Sequence, residues 1–142
     1  MLEFQEGNNQ MGPAQRFKEY CQRMCNNRKL ILPSFNLGLC AAKEISHILS
    51  VNKNIVHINL SKNLLKDEGV EEIMRQVKHS YSIIHLDLQQ NNITSKGAKK
   101  IFKGLISNNS VISLKVGNID NIQKNKIGLK AVPKLVELVK TS

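Results

Sequence analysis

The sequence predicts an α/β solenoid in which each repeat contributes one strand and one helix, and three observations predict it. One pattern is written twice at a spacing of 28 residues: Ile55, Ile58, Leu60, Asn63, Leu65, Gly69, Ile73 and Val77 are followed by Ile83, Leu86, Leu88, Asn91, Ile93, Gly97, Ile101 and Leu105. The front half of each unit alternates with the two-residue period of a strand, and the back half recurs every four residues like one face of a helix. The pattern also reaches beyond these two copies, with Leu30, Leu32, Leu37, Ala41, Ile45 and Leu49 one period earlier and Val111, Leu114 and Val116 one period later.

The strings IVHINLSKNLL and IIHLDLQQNNI resemble the leucine-rich-repeat pattern LxxLxLxxNxL. The continuation Gly-xxx-Ile-xxx-Val/Leu, at 28 residues per repeat, resembles the ribonuclease-inhibitor-like subclass. The resemblance implies a right-handed solenoid, here a short arc of four strand-helix repeats with the parallel sheet concave and the helices convex. It also implies a protein-binding scaffold of the kind found in cilia and flagella, ubiquitin-ligase adaptors and innate sensing. Inhibition of ribonuclease is not implied, because partners of that inhibitor are basic and this chain is basic too.

Taken in order, residues 1–13 are polar, aperiodic and contain Gly7, Gly12 and Pro13, which predicts a flexible tail. Residues 14–26 place Phe17, Tyr20, Cys21 and Met24 on one helical face. This helix is expected to cap the N-terminal end of the solenoid, where a first repeat must cover a core face that inner repeats bury against a neighbour. Repeat one occupies 27–54, with Asn27 in place of the first aliphatic residue and Phe35 in place of the asparagine. Pro33 falls at its strand, which suits an edge strand because proline has no N–H to donate. Repeats two and three occupy 55–82 and 83–110, with Asp67 and Ser95 as expected N-caps.

Repeat four occupies 111–142 and is interrupted. Asn125, Ile127, Ala131, Leu135 and Val139 resume the pattern six residues late, so an insertion is expected near 117–124. Pro133 belongs in the first turn of the last helix, which is expected to begin near Ala131 or Val132. The edge of this last repeat requires a cover, either the insertion through Ile119 and Ile122 or a neighbouring molecule.

The chain has 142 residues and a formal charge of +10. That length is one domain, and the charge favours acidic partners. No signal peptide and no run of about 20 apolar residues is present, so a membrane partner is not expected. Three cysteines form no closed disulfide framework and suit a reducing compartment. The expected location is therefore intracellular and not secreted; the leucine-rich-repeat resemblance implies a cytoplasmic or cytoskeletal one, with the cilium or axoneme as an example.

Side chains between the strand leucines point to the concave face. Three rows follow from the repeat: Lys29, His57, His85 and Ser113; Ile31, Asn59, Asp87 and Lys115; Pro33, Ser61, Gln89 and Gly117. Folding does not need these residues, so they are the expected protein-binding surface. The adjacent His57 and His85, with Asn59 and Asp87 nearby, read either as a metal or pH-sensitive contact or as a polar ladder; two histidines and one aspartate without fixed supporting partners rarely hold a metal.

Lys96, Lys99, Lys100 and Lys103 form a convex stripe, with Glu68, Glu71 and Glu72 expected beside the first three. A basic patch at the C-terminal end, including Lys124, Lys126, Lys130 and Lys134, is expected to remain unpaired. Acidic protein surfaces are the expected partners, with a neighbour as one of the two expected covers of the C-terminal edge. The alternative is a basic subunit of a ribonucleoprotein, although four Phe, two Tyr and no Trp offer few stacking platforms.

Cys21 and Cys25 share a helix face and read as core, as does Cys40. No phosphate loop, nucleophile motif or paired catalytic carboxylate appears, so neither enzyme activity, a metal nor a cofactor is expected.

Overall fold

A computed structural model describes residues 12–25, 28–117 and 125–131, together with 133, 136 and 137. Helix α1 (Pro13–Cys25) precedes β1 (Lys29–Ile31), α2 (Leu39–Val51), β2 (His57–Asn59), α3 (Lys66–Val77), β3 (His85–Asp87), α4 (Ser95–Ile106) and β4 (Ser113–Lys115), and a 3-10 turn spans Leu129–Ala131. The strands form a parallel sheet in chain order. Its register aligns Lys29, His57, His85 and Ser113 in one row and Ile31, Asn59, Asp87 and Lys115 in another. Helices α2, α3 and α4 pack side by side, and α1 lies against β1 and α2. The fold is a short leucine-rich-repeat arc with a helix ahead of its repeats.

Each repeat uses its aliphatic residues in the same way. Leu30, Ile58 and Leu86 at the strand centres and Leu32, Leu60 and Leu88 just beyond are buried, and so are Ile45, Ile73 and Ile101 on the helices. Complete burial of one such side chain contributes about 1.5–3 kcal/mol, so this interleaved set supplies the main drive for stacking. Each strand has only three residues. The leucines and the asparagines that follow add to this short sheet ladder and to the backbone bonds that extend it on either side.

The asparagine at the end of each strand is a bracket between repeats. The Asn63 side-chain oxygen accepts from the N–H groups of Phe35 at 2.9 Å and Leu37 at 3.0 Å, while its amide donates to the carbonyls of Leu32 at 2.8 Å and Leu60 at 2.9 Å. Asn91 donates to Leu60 O at 2.8 Å, and its oxygen accepts from Leu65 N at 3.3 Å. Asn125 occupies the same place opposite Asn91: its oxygen accepts from Asn91 N at 2.8 Å and Ile93 N at 3.0 Å, and its amide donates to Leu88 O and Val116 O, both at 2.9 Å. Repeat one has no preceding repeat to bracket, which accounts for Phe35. That ring instead meets Tyr20 of α1, with centroids 5.8 Å apart.

The turn after each strand repeats as well. Ser34, Lys62 and Gln90, one period apart, take left-handed conformations with φ of 61°, 57° and 52°. Pro33 lies in this turn and not on the strand. Its neighbours Leu32 and Ser34 donate to Asn59 O at 2.8 Å and Ser61 O at 3.1 Å, so the missing proline N–H falls between two of the bonds that join repeat one to repeat two.

The helix starts differ from the sequence expectation. Leu65 is the N-cap of α3 and makes no side-chain cap bond. Thr94, not Ser95, caps α4, its hydroxyl accepting from Lys96 N at 3.2 Å. Asp67 caps the neighbouring helix instead of its own: Oδ1 accepts from Thr94 N at 2.8 Å and Gly97 N at 3.0 Å, and Oδ2 accepts from the Thr94 hydroxyl at 2.5 Å. Glycine at position 97 permits this approach, because a Cβ there would collide with Asp67 Oδ1 and lie 2.8 Å from Ile93 Cγ2.

At the N-terminal end, α1 buries Cys21 and Cys25 and half-buries Phe17, Tyr20 and Met24 against the first repeat. Cys40 departs from its core expectation and is exposed, because it lies on the side of α2 away from the buried Ala42, Ile45 and Leu49. At the other end, Leu114 is only half-buried and Ile112 is 80% exposed, whereas Leu86 in the preceding strand is 1% exposed. Among the described residues no strand pairs with the outer edge of β4. Of the flexible tail expected over 1–13, residue Pro13 instead opens α1, and residues 1–11 lie outside the described residues, as do Ile119 and Ile122 of the insertion and Val132, Leu135 and Val139.

Candidate functional site

The strand register gathers the sequence-derived rows on one sheet face. In the first row Lys29 and His85 are exposed and His57 and Ser113 half-buried; in the second Lys115 is exposed and Ile31, Asn59 and Asp87 are half-buried. The His57 and His85 rings lie 5.5 Å apart, tilted by 55°. Around them Leu86, Asp87, Ser113 and Lys115 line a shallow depression.

Several row members already have work within the fold. Asn59 Oδ1 accepts from the Ser61 N–H at 3.0 Å and from its hydroxyl at 2.7 Å, and Asp87 Oδ1 accepts from Gln89 N at 3.0 Å. These i to i+2 bonds shape the turn leaving each strand. Ser61 is thereby buried, with 6% of its surface exposed, so the hydroxyl expected on the binding surface is turned into the protein. Of the other row members, Lys29, His85 and Lys115 are exposed, and His57, Ser113, Ile31 and Gln89 are half-buried.

The electrostatics of this face are set by its cations. Burial holds His57 below its usual 6.5, and His85, Lys29 and Lys115 push in the same direction while Asp87 opposes them. The face therefore favours a neutral His57 when it is empty.

The convex side carries the second sequence-derived surface. Lys96, Lys99, Lys100 and Lys103 are exposed on α4, as are Lys126 and Lys130 beyond it; Lys124 and Lys134 lie outside the described residues. Lys126 joins this region through a bridge with Thr94, and Gly128 N donates to Ser95 Oγ at 2.9 Å. The expected alignment of three glutamates with three lysines is not what forms. Lys100 Nζ meets Glu71 at 2.9 Å, one residue out of the repeat register, and Glu72 turns to Arg75 on its own helix at 3.4 Å. Lys100 holds the Glu71 carboxyl below its usual value by hydrogen bond and charge.

Cys21 is chemically quiet. Burial, then Cys25 and Glu44, push its thiol up to about 12, and burial raises Cys25 as well. Among the described residues no group of three or more His, Cys, Asp or Glu side chains is placed to hold a metal, and no helix is long and apolar enough to cross a membrane.

Comparison with known proteins follows the same geometry. A family model described as Leucine Rich repeat matches residues 51–74 and 79–102. No curated protein matches the chain. Among solved structures, the leiomodin-1 actin-binding site 2 is similar with a TM-score of 0.64 at 18% identity, over 91% of this chain and 84% of that one. The tropomodulin C-terminal domain from Caenorhabditis elegans is similar with a TM-score of 0.63 at 10% identity, over 92% of this chain and 93% of that one. The family match and these two structures agree on a leucine-rich-repeat fold module.

Proposed function

We propose that the chain is a non-catalytic protein-interaction module that holds a partner on its concave sheet face. The observation that carries this reading is a division of labour along each strand. Leucines at alternate positions fill the core and asparagines bracket the repeats, while Lys29, His57, His85, Ser113 and Lys115 stand in register on the opposite face. Rigid, repeated presentation of solvent-facing side chains supports selective contact with an extended partner.

The finer reading is a structural or scaffold subunit of a larger intracellular assembly, of which an axonemal or ciliary complex is an example. Its support is the resemblance of the 28-residue repeats to the ribonuclease-inhibitor-like subclass, together with three free cysteines. The fold shared with the leiomodin-1 actin-binding site makes actin one partner to test for; at 18% identity that likeness carries the fold and not the partner.

A second reading, a basic subunit of a ribonucleoprotein, has one observation in its favour. Lys96, Lys99 and Lys103 are exposed on α4, and Lys126 bridges to Thr94 at the start of that helix. Contacts of this kind to phosphate weaken steeply with salt.

A pull-down from native extract separates the two readings. The wild type is compared with a concave variant carrying His57→Ala, Asn59→Ala, Asp87→Ala and Lys115→Ala, each with and without nuclease. Proteins retained after nuclease and lost in the variant support the interaction module. Recovery that requires nucleic acid and ignores the variant supports the ribonucleoprotein subunit and overturns the first reading.

A further inference from the structure

The concave face is asymmetric in charge in a way that selects its occupant. Around the His57 and His85 pair stand Lys29 from β1, Asp87 from β3 and Lys115 from β4. The helices occupy the other side of the sheet. Two of the three flanking charges are positive, and the negative one is partly occupied, since Asp87 Oδ1 accepts the Gln89 N–H. Two imidazoles 5.5 Å apart also present N–H groups from neighbouring strands, with the Ser113 hydroxyl in the same row.

We propose that the His57 and His85 pair, flanked by Lys29, Ser113 and Lys115, docks the carboxylates of an acidic segment of a partner protein, and that this docking tightens as pH falls through the imidazole range. The inference rests on the concave-face reading above and names the partner chemistry and its regulation. Neutral imidazoles donate N–H bonds to a carboxylate, so docking exists at high pH. A carboxylate laid across the pair also offsets the repulsion that Lys29 and Lys115 exert on a second positive charge. By linkage, an occupant that favours the imidazolium must bind more tightly where the imidazole is protonated. Each unit by which the occupant raises an imidazole pKa appears as about a tenfold gain in affinity at low pH.

The depression is shallow and spans β2 to β4, which suits an extended segment crossing the strands better than a small molecule. Asp87 sets a limit on the match, because a carboxylate placed beside it meets like charge. The acidic residues should therefore sit toward the two histidines and the lysines.

The probe is a fluorescein-labelled peptide of alternating glutamate and serine, with a glutamine counterpart. Glutamate remains mostly ionised at about pH 5.5, so the peptide charge changes little across the range tested. Fluorescence anisotropy with the full chain at about pH 5.5 and about pH 8, at fixed ionic strength, reads the affinity. The expected result is binding of the glutamate peptide at least about tenfold tighter at the lower pH, with the glutamine peptide weak at both. His57→Gln with His85→Gln should remove the pH dependence while the urea midpoint shows that the variant is folded. Lys96→Ala with Lys99→Ala on α4 should leave binding unchanged.

Equal affinity at the two pH values, pH dependence that survives the histidine variant, equal binding of the glutamine peptide, or no binding at all overturns the proposal. So does tighter binding of a single-stranded RNA of equal charge that depends on the α4 lysines. The pull-down distinguishes the level of failure. A partner lost with the concave variant while the acidic peptide fails removes the acidic-segment proposal alone; failure of both removes the concave-face reading.

Discussion

Replacing Asn63 with alanine tests the claim that buried asparagines join the repeats. Asn63 has no exposed surface. Its removal withdraws the side-chain partner of Phe35 N–H, Leu37 N–H and Leu32 O. Two other carbonyls retain partners, since Leu60 O still accepts from Asn91 Nδ2 and Ser61 O from Ser34 N. A buried polar group left unsatisfied costs about 1–3 kcal/mol, so three such groups predict a loss of about 3–6 kcal/mol after partial relaxation. That is a large share of the roughly 5–15 kcal/mol that holds a typical domain folded. Urea unfolding followed by far-ultraviolet circular dichroism measures it, with Asn54→Ala, an exposed asparagine in the first repeat, as control. A loss below about 1 kcal/mol would refute the bracket, because it would mean that water or a shifted backbone satisfies these groups at little cost.

Asp67→Ala should destabilise the chain by about 1–3 kcal/mol through the lost cap on α4, and Thr94→Ala by about 1 kcal/mol, measured by the same urea titration. The two losses should fall short of additivity, because Asp67 and Thr94 share a hydrogen bond. With a thiol reagent under native conditions Cys40 should react fast, while Cys21 and Cys25 react only on unfolding, as their burial and raised thiols require. The folded state holds His57 below the 6.5 of an ordinary histidine, so the unfolded chain binds that proton more readily. Stability from this group is therefore full above about pH 6.5 and falls as pH drops through the lowered folded value; His57→Gln should flatten that slope in urea midpoints taken across the range.

Much of the fold was legible because a 28-residue repeat converts directly into register. Position 29 on one strand must face 57, 85 and 113, and it does. The buried leucines follow from the same arithmetic, and Phe35 in the asparagine's place becomes intelligible once repeat one is seen to have no predecessor to bracket. What periodicity did not reveal depends on how adjacent helices slide past one another. Asp67 caps α4 from a neighbouring helix, across 27 to 30 residues, while Lys100 pairs with Glu71 one residue out of step. A strict one-period shift cannot anticipate either. Cys40 differs from its core expectation for another reason, since the buried face of α2 runs through Ala42, Ile45 and Leu49 and leaves Cys40 on the other side.

The candidate site was legible as rows of positions, less so as a set of available groups. Asn59 and Asp87 lie two residues before Ser61 and Gln89, a spacing at which a short polar side chain bonds its own backbone. That signal was present in the sequence and sets Asn59 and Asp87 apart from the histidines, the two lysines and Ser113 as side chains engaged by their own turns. Among the described residues β4 is the last strand in chain order and has a strand neighbour on one side alone.

The most direct test of the central claim is site-specific photo-crosslinking in native extract after nuclease treatment, with a benzophenone side chain placed at position 85 on the concave face or at position 99 on α4. The interaction-module account predicts discrete protein adducts from position 85, competed by excess wild-type chain, and none from position 99. Adducts confined to position 99, or none at position 85, would contradict it.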